Sequence, residues 1–334
     1  MAQASTCEFI LQPFVATNYK LALQPMKELK DLRIVFMGTP EFAVASLEAL
    51  VNEGLNIVGV ITAPDKPQGR GRQLAVSPVK EFAVAHGLHV LQPTNLKSDE
   101  FLKELESLKA DLQIVVAFRM LPEAVWNMPP IGTFNLHASL LPQYRGAAPI
   151  NWAIINGETE TGVTTFFLQH EIDTGNILLQ EKEPIHPNDN VGSLYERLMA
   201  KGAGLVVKTV KLIQSEKVVP QPQLQVENMK FAPKLYKETC EINWEWSAAT
   251  VHNFVRGLSP YPAAWSVFGD NQFKVFETES EPDKKMKPGQ LQSDNKTFIR
   301  IGCGNGAVLI KELQMQGKKR MKTEEFLKGN KLIN

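Results

Sequence analysis

The stretch FNLHASLLPQYRGAAP, residues 134–149, sets an asparagine and a histidine two positions apart in an apolar run that then breaks into a loop. Side chains at i and i+2 of a β-strand leave the same face, so Asn135 and His137 should project together while Phe134 and Leu136 project oppositely. In a strand covered on both faces, such polar groups cost about 1–3 kcal/mol each when left unpaired, so they imply partners or an open cleft. Downstream, HEIDTG at 170–175 brings Asp173 into a turn between two strand-like runs. The three side chains have the chemistry to process a carbonyl. An Asn135 N–H can hold a developing oxyanion, the His137 imidazole can move or stabilise a proton, and Asp173 can orient that imidazole. That is acyl transfer to an amine. A histidine on a strand is, however, more often a satisfied structural residue, and an aspartate before Thr-Gly is equally at home as a turn former. Spacing alone leaves both readings open.

Other motifs narrow the chemistry. Gly38-Thr39-Pro40 lacks the G-x-G-x-x-G spacing of a dinucleotide site, which disfavours nicotinamide binding. His86 and His89 have no carboxylate or cysteine partner at a ligand spacing, so no metal is expected. PDKPQGRGRQLAVS, residues 64–77, is longer than a strand-to-helix connection needs and carries Lys66, Arg70 and Arg72. It reads either as a solvated loop or as a basic arm that meets the phosphates of a folded RNA. A second cluster, GKKRMK at 317–322, contributes Lys318, Lys319 and Arg320.

The elements that must position these groups alternate. Strand-like runs at 32–37, 56–62, 89–91 and 112–117 are separated by helical patterns at 42–51, 78–86 and 98–108. Such alternation predicts an α/β domain, a doubly wound, mostly parallel sheet covered by helices. Further strands are expected at 133–138, 162–168 and 177–179, and a long amphipathic helix at 191–214. In a sheet of this kind ligands sit outside the carboxyl ends of the strands, which is where Ser139-Leu140-Leu141-Pro142 follows His137. VPQPQLQ at 219–225 reads as an extended linker. Beyond it, short strand-like runs at 264–268, 272–276, 297–302 and 307–313 suggest a small β-barrel. The resulting organisation is a poorly ordered leader over 1–25, a catalytic domain over 26–217, a linker over 218–228 and a second domain over 229–334.

With 334 residues, 43% hydrophobic and 22% charged, the chain fits an ordinary globular protein of two domains. No apolar run reaches membrane-spanning length. Lys+Arg and Asp+Glu both total 36, yet residues 229–334 hold 17 basic against 12 acidic side chains, a net of +5 that leaves −5 for the rest. The asymmetry is the kind a polyanion partner produces, although a lysine-rich solvated face does the same. Three distant cysteines suggest neither a disulfide framework nor a zinc ribbon and fit a reducing cytoplasm.

MGTPEFAV, PDKPQGRG with SPVK, NLHASLLPQYRGAAPINWAI, GETETGV, DTGNIL and the tail GKKRM together resemble the folate-dependent formyltransferase family, in its branch acting on methionyl-tRNA. The resemblance spans about residues 32–327. It implies a Rossmann-like catalytic domain and an OB-like second domain. It also implies transfer of a formyl group from 10-formyltetrahydrofolate to the α-amino group of methionine esterified to initiator tRNA. Asn135, His137 and Asp173 would then be the catalytic group, and Ser139, Leu140, Leu141 and Pro142 would border the folate. Lys66, Arg70, Arg72, Lys318, Lys319 and Arg320 would meet the tRNA, and no metal would be required; nothing in the sequence demands a dimer, so a monomer is expected. One departure concerns the pterin pocket: where the family has a Tyr-Gly pair after the fourth strand, this chain reads Phe118-Arg119-Met120. A relative formylating a small molecule would share the catalytic group without needing the basic loop and second domain. A non-catalytic RNA-binding factor would have no reason to keep all three catalytic residues.

Overall fold

The computed structural model describes residues 28–68 and 73–330; the leader and the tip of the basic loop, with Arg70 and Arg72, lie outside them. After a 3-10 turn, the first half runs β1 (Ile34–Gly38), α1 (Glu41–Asn52), β2 (Ile57–Ile61), β3 (Lys66–Gln68), β4 (Gln73–Ala75), α2 (Pro78–Ala85), β5 (Val90–Leu91) and α3 (Asp99–Ser107). It continues with β6 (Leu112–Val116), α4 (Glu123–Trp126), β7 (Gly132–His137), β8 (Arg145–Gly146), α5 (Pro149–Ile155), β9 (Glu160–Phe167), β10 (Ile177–Pro184) and α6 (Val191–Gln214). The second half contains β11 (Phe231–Ala232), α7 (Ala248–Leu258), β12 (Ala264–Phe268), β13 (Asn271–Glu281), β14 (Leu291–Ser293), β15 (Ile299–Gly302), β16 (Ala307–Met315), β17 (Met321–Lys322) and α8 (Thr323–Gly329).

The main sheet has the order β10-β9-β7-β6-β1-β2-β5. Its five strands from β7 to β5 are parallel, and β9 and β10 extend it antiparallel. Strand order reverses between β1 and β6, the position where open α/β sheets form their ligand crevice. Burial on both faces explains the near-continuous apolar strands: IVFMG of β1 and LQIVV of β6 are buried throughout. On one face Ile34, Phe36, Ile114, Phe134 and Leu136 pack with Leu47, Leu50, Leu198 and Val206 of α1 and α6. On the other, Val35, Met37, Ile61 and Val115 pack with Phe101 and Leu105 of α3. Helix starts are fixed locally. Ser77 and Ser98 accept from the third backbone N–H onward, and Asn190 and Ser193 form a reciprocal capping box on α6.

The basic loop is not plain coil. Its arms, β3 and β4, pair antiparallel, and its base is tied by Lys80 to Asp65, by Gln92 to Asp65 at 2.8 Å, and by Thr62 to Ser77 at 2.7 Å. Lys66 is exposed.

The second half is a curled antiparallel sheet, a half-barrel, ordered β12-β13-β16-β15-β14 with β17 on β16. Its core is closed by α7, whose Val251, Phe254, Val255 and Leu258 face the sheet. The α7 helix also joins the halves. Gly257 lies so close to α5 that an added Cβ would stand 2.5 Å from Ile155 Cγ1, and Asn151 Nδ2 donates to its carbonyl at 2.9 Å. Along β13, Glu277, Glu279 and Glu281 pair with Lys322 of β17, Lys311 of β16 and Arg300 of β15 at 2.6, 2.9 and 2.5 Å. Among the described residues no helix is long and apolar enough to cross a membrane.

Phe134 is fully buried on the α6 face of β7, away from Asn135. Phe134→Ala is expected to cost about 3–5 kcal/mol of stability, measured as a lower urea midpoint at unchanged slope.

Candidate active site

Strand β7 ends one residue beyond its neighbour: Leu136 pairs with Val116 of β6, and His137 pairs with Thr164 of β9 alone. In register across the α3 face run Ile61, Met37, Val115, Asn135 and Phe166, so Asn135 interrupts an apolar row. Phe134 and Leu136 are buried on the opposite face. Asn135 is half-buried, and its side-chain amide makes no hydrogen bond among the described residues. A donor pair beside the switch point is thereby left for a ligand.

His137 is 6% exposed, and its Nε2 lies 2.8 Å from the Tyr144 carbonyl. A carbonyl only accepts, so Nε2 carries the proton and Nδ1 is the nitrogen free to react. Nδ1 faces Asp173 Oδ2 at 3.8 Å, too far for a hydrogen bond and close enough for charge to matter. With the ring neutral, two acceptors face each other; a proton or a donor group between them resolves the arrangement.

Asp173 is held from several sides. Its Oδ2 accepts the Gly146 N–H at 2.9 Å. Its φ of 55° is left-handed, a turn conformation that aspartate adopts more readily than most side chains. Two residues on, Gly175 abuts β9 so tightly that a Cβ would sit 1.7 Å from the Phe167 carbonyl oxygen. Gln223 Nε2 donates to the carbonyls of both Asp173 and Gly175 at 2.8 Å, while its Oε1 accepts from Arg145 Nε at 3.1 Å and Nη2 at 2.6 Å.

The segment between the halves therefore does more than span a gap. Gln221 exchanges backbone hydrogen bonds with Ile177 at 2.7 and 2.8 Å. The Lys230 carbonyl accepts from Tyr144 N at 2.7 Å, and β11 pairs parallel with β8. Gly146 has a φ of 125°, and a Cβ there would stand 2.4 Å from the Ala232 oxygen. Through these contacts the segment forms a strap along the loop that carries the Tyr144 carbonyl and the Gly146 amide.

Below this strap Tyr144 Oη donates to Glu158 Oε1 at 2.5 Å, and Lys230 Nζ pairs with the same oxygen at 2.5 Å. Burial first, and the hydrogen bond to the Glu158 carboxylate second, push the Tyr144 phenol well above its usual range. Burial works against the Glu158 carboxylate, but Lys230 and the Tyr144 hydroxyl outweigh it and hold the carboxyl below its usual value.

The 139–142 loop is also braced from β9 and β10. Thr164 Oγ1 donates to the Ser139 carbonyl at 2.7 Å and accepts from Leu141 N at 3.2 Å, and Gln180 Nε2 donates to the Leu141 carbonyl at 2.8 Å. Ser139 and Leu141 are buried, and Ser139 Oγ is engaged with the Gln143 carbonyl at 2.7 Å; Leu140 and Pro142 keep partly exposed surface. Arg119 donates to the carbonyls of Pro93 and Thr94 with its guanidinium 5.6 Å from the centre of the Phe118 ring.

Of the basic residues singled out from sequence, Lys66, Lys318 and Lys319 are exposed and form no ion pair among the described residues. Arg320 is tied to Glu312 at 2.6 Å and stacked on Phe276 at 4.2 Å. Arg70 and Arg72 lie outside the described residues. No group of three His, Cys, Asp or Glu among the described residues could hold a metal ion. Sequence reasoning did not single out Tyr144, Arg145, Gly146 or Gln223. The first three sit in the quoted QYRG run, but Gln223 has no signal beyond a glutamine between prolines and apolar residues.

The family model described as "Formyl transferase" matches residues 32–210, and that described as "Formyl transferase, C-terminal domain" matches 234–331. A protein of Bacteroides fragilis named methionyl-tRNA formyltransferase is 55% identical over 309 residues, covering 90% of this chain and 95% of its own. Among solved structures, an N-formyltransferase from Helicobacter canadensis with folinic acid and dTDP-3-aminofucose is 21% identical, with a TM-score of 0.64, covering 86% of this chain and 99% of its own. HypX from Aquifex aeolicus, solved with tetrahydrofolic acid, is 21% identical with a TM-score of 0.61; 88% of this chain matches 46% of that longer one. These two structures share the fold.

The Tyr144 phenol should stay protonated well above the ordinary tyrosine range. Below about pH 11, where free tyrosines have largely ionised, native wild type and Tyr144→Phe are expected to give the same rise in absorbance at the tyrosinate band. A larger rise in wild type would contradict the buried phenol–carboxylate contact.

Proposed function

This chain belongs to the formyl transferase family, and we propose that it transfers a formyl group from 10-formyltetrahydrofolate to the α-amino group of methionyl-initiator tRNA. The product, N-formylmethionyl-tRNA, serves translation initiation. The observation that carries the reading is the pairing of a locked histidine with a held carboxylate: His137 Nε2 on the Tyr144 carbonyl, Nδ1 3.8 Å from Asp173, and the free Asn135 amide on the same strand face. The relative's name supplies the acceptor.

The neutral methionyl amine attacks the formyl carbon, and the carbonyl oxygen becomes an oxyanion in a tetrahedral intermediate. Asn135 donates to that oxygen, and His137, protonated at both nitrogens, donates from Nδ1. Asp173 complements the charge on the ring and takes part in removing the proton from the attacking nitrogen. Collapse of the intermediate breaks the bond to N10 of the folate, which leaves as tetrahydrofolate with a proton. Leu140 and Pro142, half-exposed at the mouth, border the folate, while Ser139 and Leu141 hold the loop's shape. The catalytic unit spans residues 26–217 and the tRNA-gripping unit 229–334, joined over 218–228. Lys66, Arg70 and Arg72 reach the acceptor stem from one side, and Lys318, Lys319 and Arg320 the tRNA from the other. The enzyme works as a cytoplasmic monomer.

Loss of one oxyanion donor typically removes about 100- to 1,000-fold of turnover, so Asn135→Ala is expected to fall by that factor while its melting temperature stays within a degree or so of wild type. Formyl transfer to methionyl-tRNA, followed by mass, reads it; near-normal turnover removes the assigned role. Affinity for charged initiator tRNA should drop at least about tenfold between roughly 50 and 200 mM salt if three or more phosphates are neutralised. A flat salt response would favour a small-molecule acceptor.

A further inference from the structure

Gln223 stands out in the strap. Along residues 221–228 it alone is drawn out of solvent. Its amide uses every hydrogen-bonding site it has. Two lone pairs of Oε1 accept from the Arg145 guanidinium, and two hydrogens on Nε2 go to the carbonyls of Asp173 and Gly175. The orientation is unambiguous: a guanidinium has no acceptor and a carbonyl has no donor, so oxygen must face Arg145 and nitrogen must face the loop. Arg145 is the first residue of β8, and the second, Gly146, gives its N–H to the Asp173 carboxylate. One amide thus links the strand segment that holds the carboxylate with the backbone on which the carboxylate is mounted.

We propose that Gln223 is a positioning residue for Asp173, setting the carboxylate against His137 Nδ1 from a segment that belongs to neither domain. The inference rests on the formyl-transfer reading above and adds a residue to it. The link bears on the carboxylate because Gln223 holds the carbonyls of Asp173 and Gly175 on either side of the turn, and losing both donors frees the backbone that carries the Asp173 side chain. A shift of about 1 Å in a reacting group can cost on the order of 100-fold in rate.

The test is steady-state formyl transfer by the full-length chain, with 10-formyltetrahydrofolate and methionyl-tRNA varied in turn. Gln223→Ala should lower kcat about 10- to 100-fold and leave both KM values within about twofold. If the residue only fastened the two halves together, the KM for tRNA would rise and kcat would hold. Gln223→Glu keeps an acceptor for Arg145 but offers the two carbonyls no hydrogen, so it should be as slow as Gln223→Ala. Wild-type turnover in Gln223→Glu would overturn the proposal, and it does so even if the alanine variant fails to fold. Because Gln223 acts through Asp173, adding Gln223→Ala to Asp173→Asn should cost less than about threefold more, a clear failure of additivity. A full additional loss would overturn the proposal while leaving the formyl-transfer reading intact. Normal turnover in Asp173→Asn alone would overturn that reading, and this inference with it.

Discussion

The backbone carbonyl of Tyr144 takes the Nε2 proton of His137, and everything else about the site follows from which nitrogen is left over. Only Nδ1 can then meet a ligand, and only from the side where Asn135 and Asp173 lie. The carbonyl points correctly because Tyr144 has a left-handed φ of 60°, its N–H is taken by Lys230 and its hydroxyl by Glu158. A single imidazole tautomer is therefore fixed by an assembly of backbone and buried polar groups, each with its own partner. Buried polar networks confer rigidity when fully satisfied, and this one is satisfied at every atom named.

Around that point the protein spends backbone geometry that unconstrained chain avoids. Tyr144 and Asp173 are left-handed, and Gly146 and Gly175 have no room for a Cβ. Such conformations persist where the surroundings over-determine them. Here the surroundings are the sheet on one side, through Phe167 and Thr164, and the strap on the other, through Gln223, Lys230 and Ala232. The candidate site is a seam between a regular sheet and an irregular segment, and the sheet alone would not close it.

Much of the sheet was legible in the sequence because its signals are local. The 191–214 helix has the bounds its amphipathic pattern indicates, since the Asn190 and Ser193 cap stands at its start. The face shared by Asn135 and His137 follows from strand periodicity, and the apolar row around Asn135 bears it out. What was missed depended on distant partners. Strand β13 runs to Glu281, well beyond the expected end at 276, because Thr278 to Glu281 pair with Ile310 to Ala307 of the distant strand β16. Helix α7 was not anticipated, although Ser247 and the spacing of Val251, Phe254, Val255 and Leu258 carry the signal. The arms of the basic loop carry no strand signal in the sequence, since three-residue strands leave no period to detect. The pairing of Asp173 with His137 follows from the chemistry of the three side chains, but spacing leaves it level with the turn-former reading, and the resemblance to a family favours it. The carbonyl that sets the tautomer has no side-chain signature, and Gln223 looked like one more polar residue in a proline-rich stretch.

The strap also bears on how such an enzyme can be recombined in evolution. A gene fusion that severed the chain after the last turn of α6 would carry off the sheet, the histidine and the aspartate, yet leave behind the glutamine and the β11 edge that seat them. The inheritable module is longer than the folded layer it contains: it runs on through Ala232, some eighteen residues past Gln214. New acceptor-binding partners are therefore easier to graft downstream of that point than upstream of it.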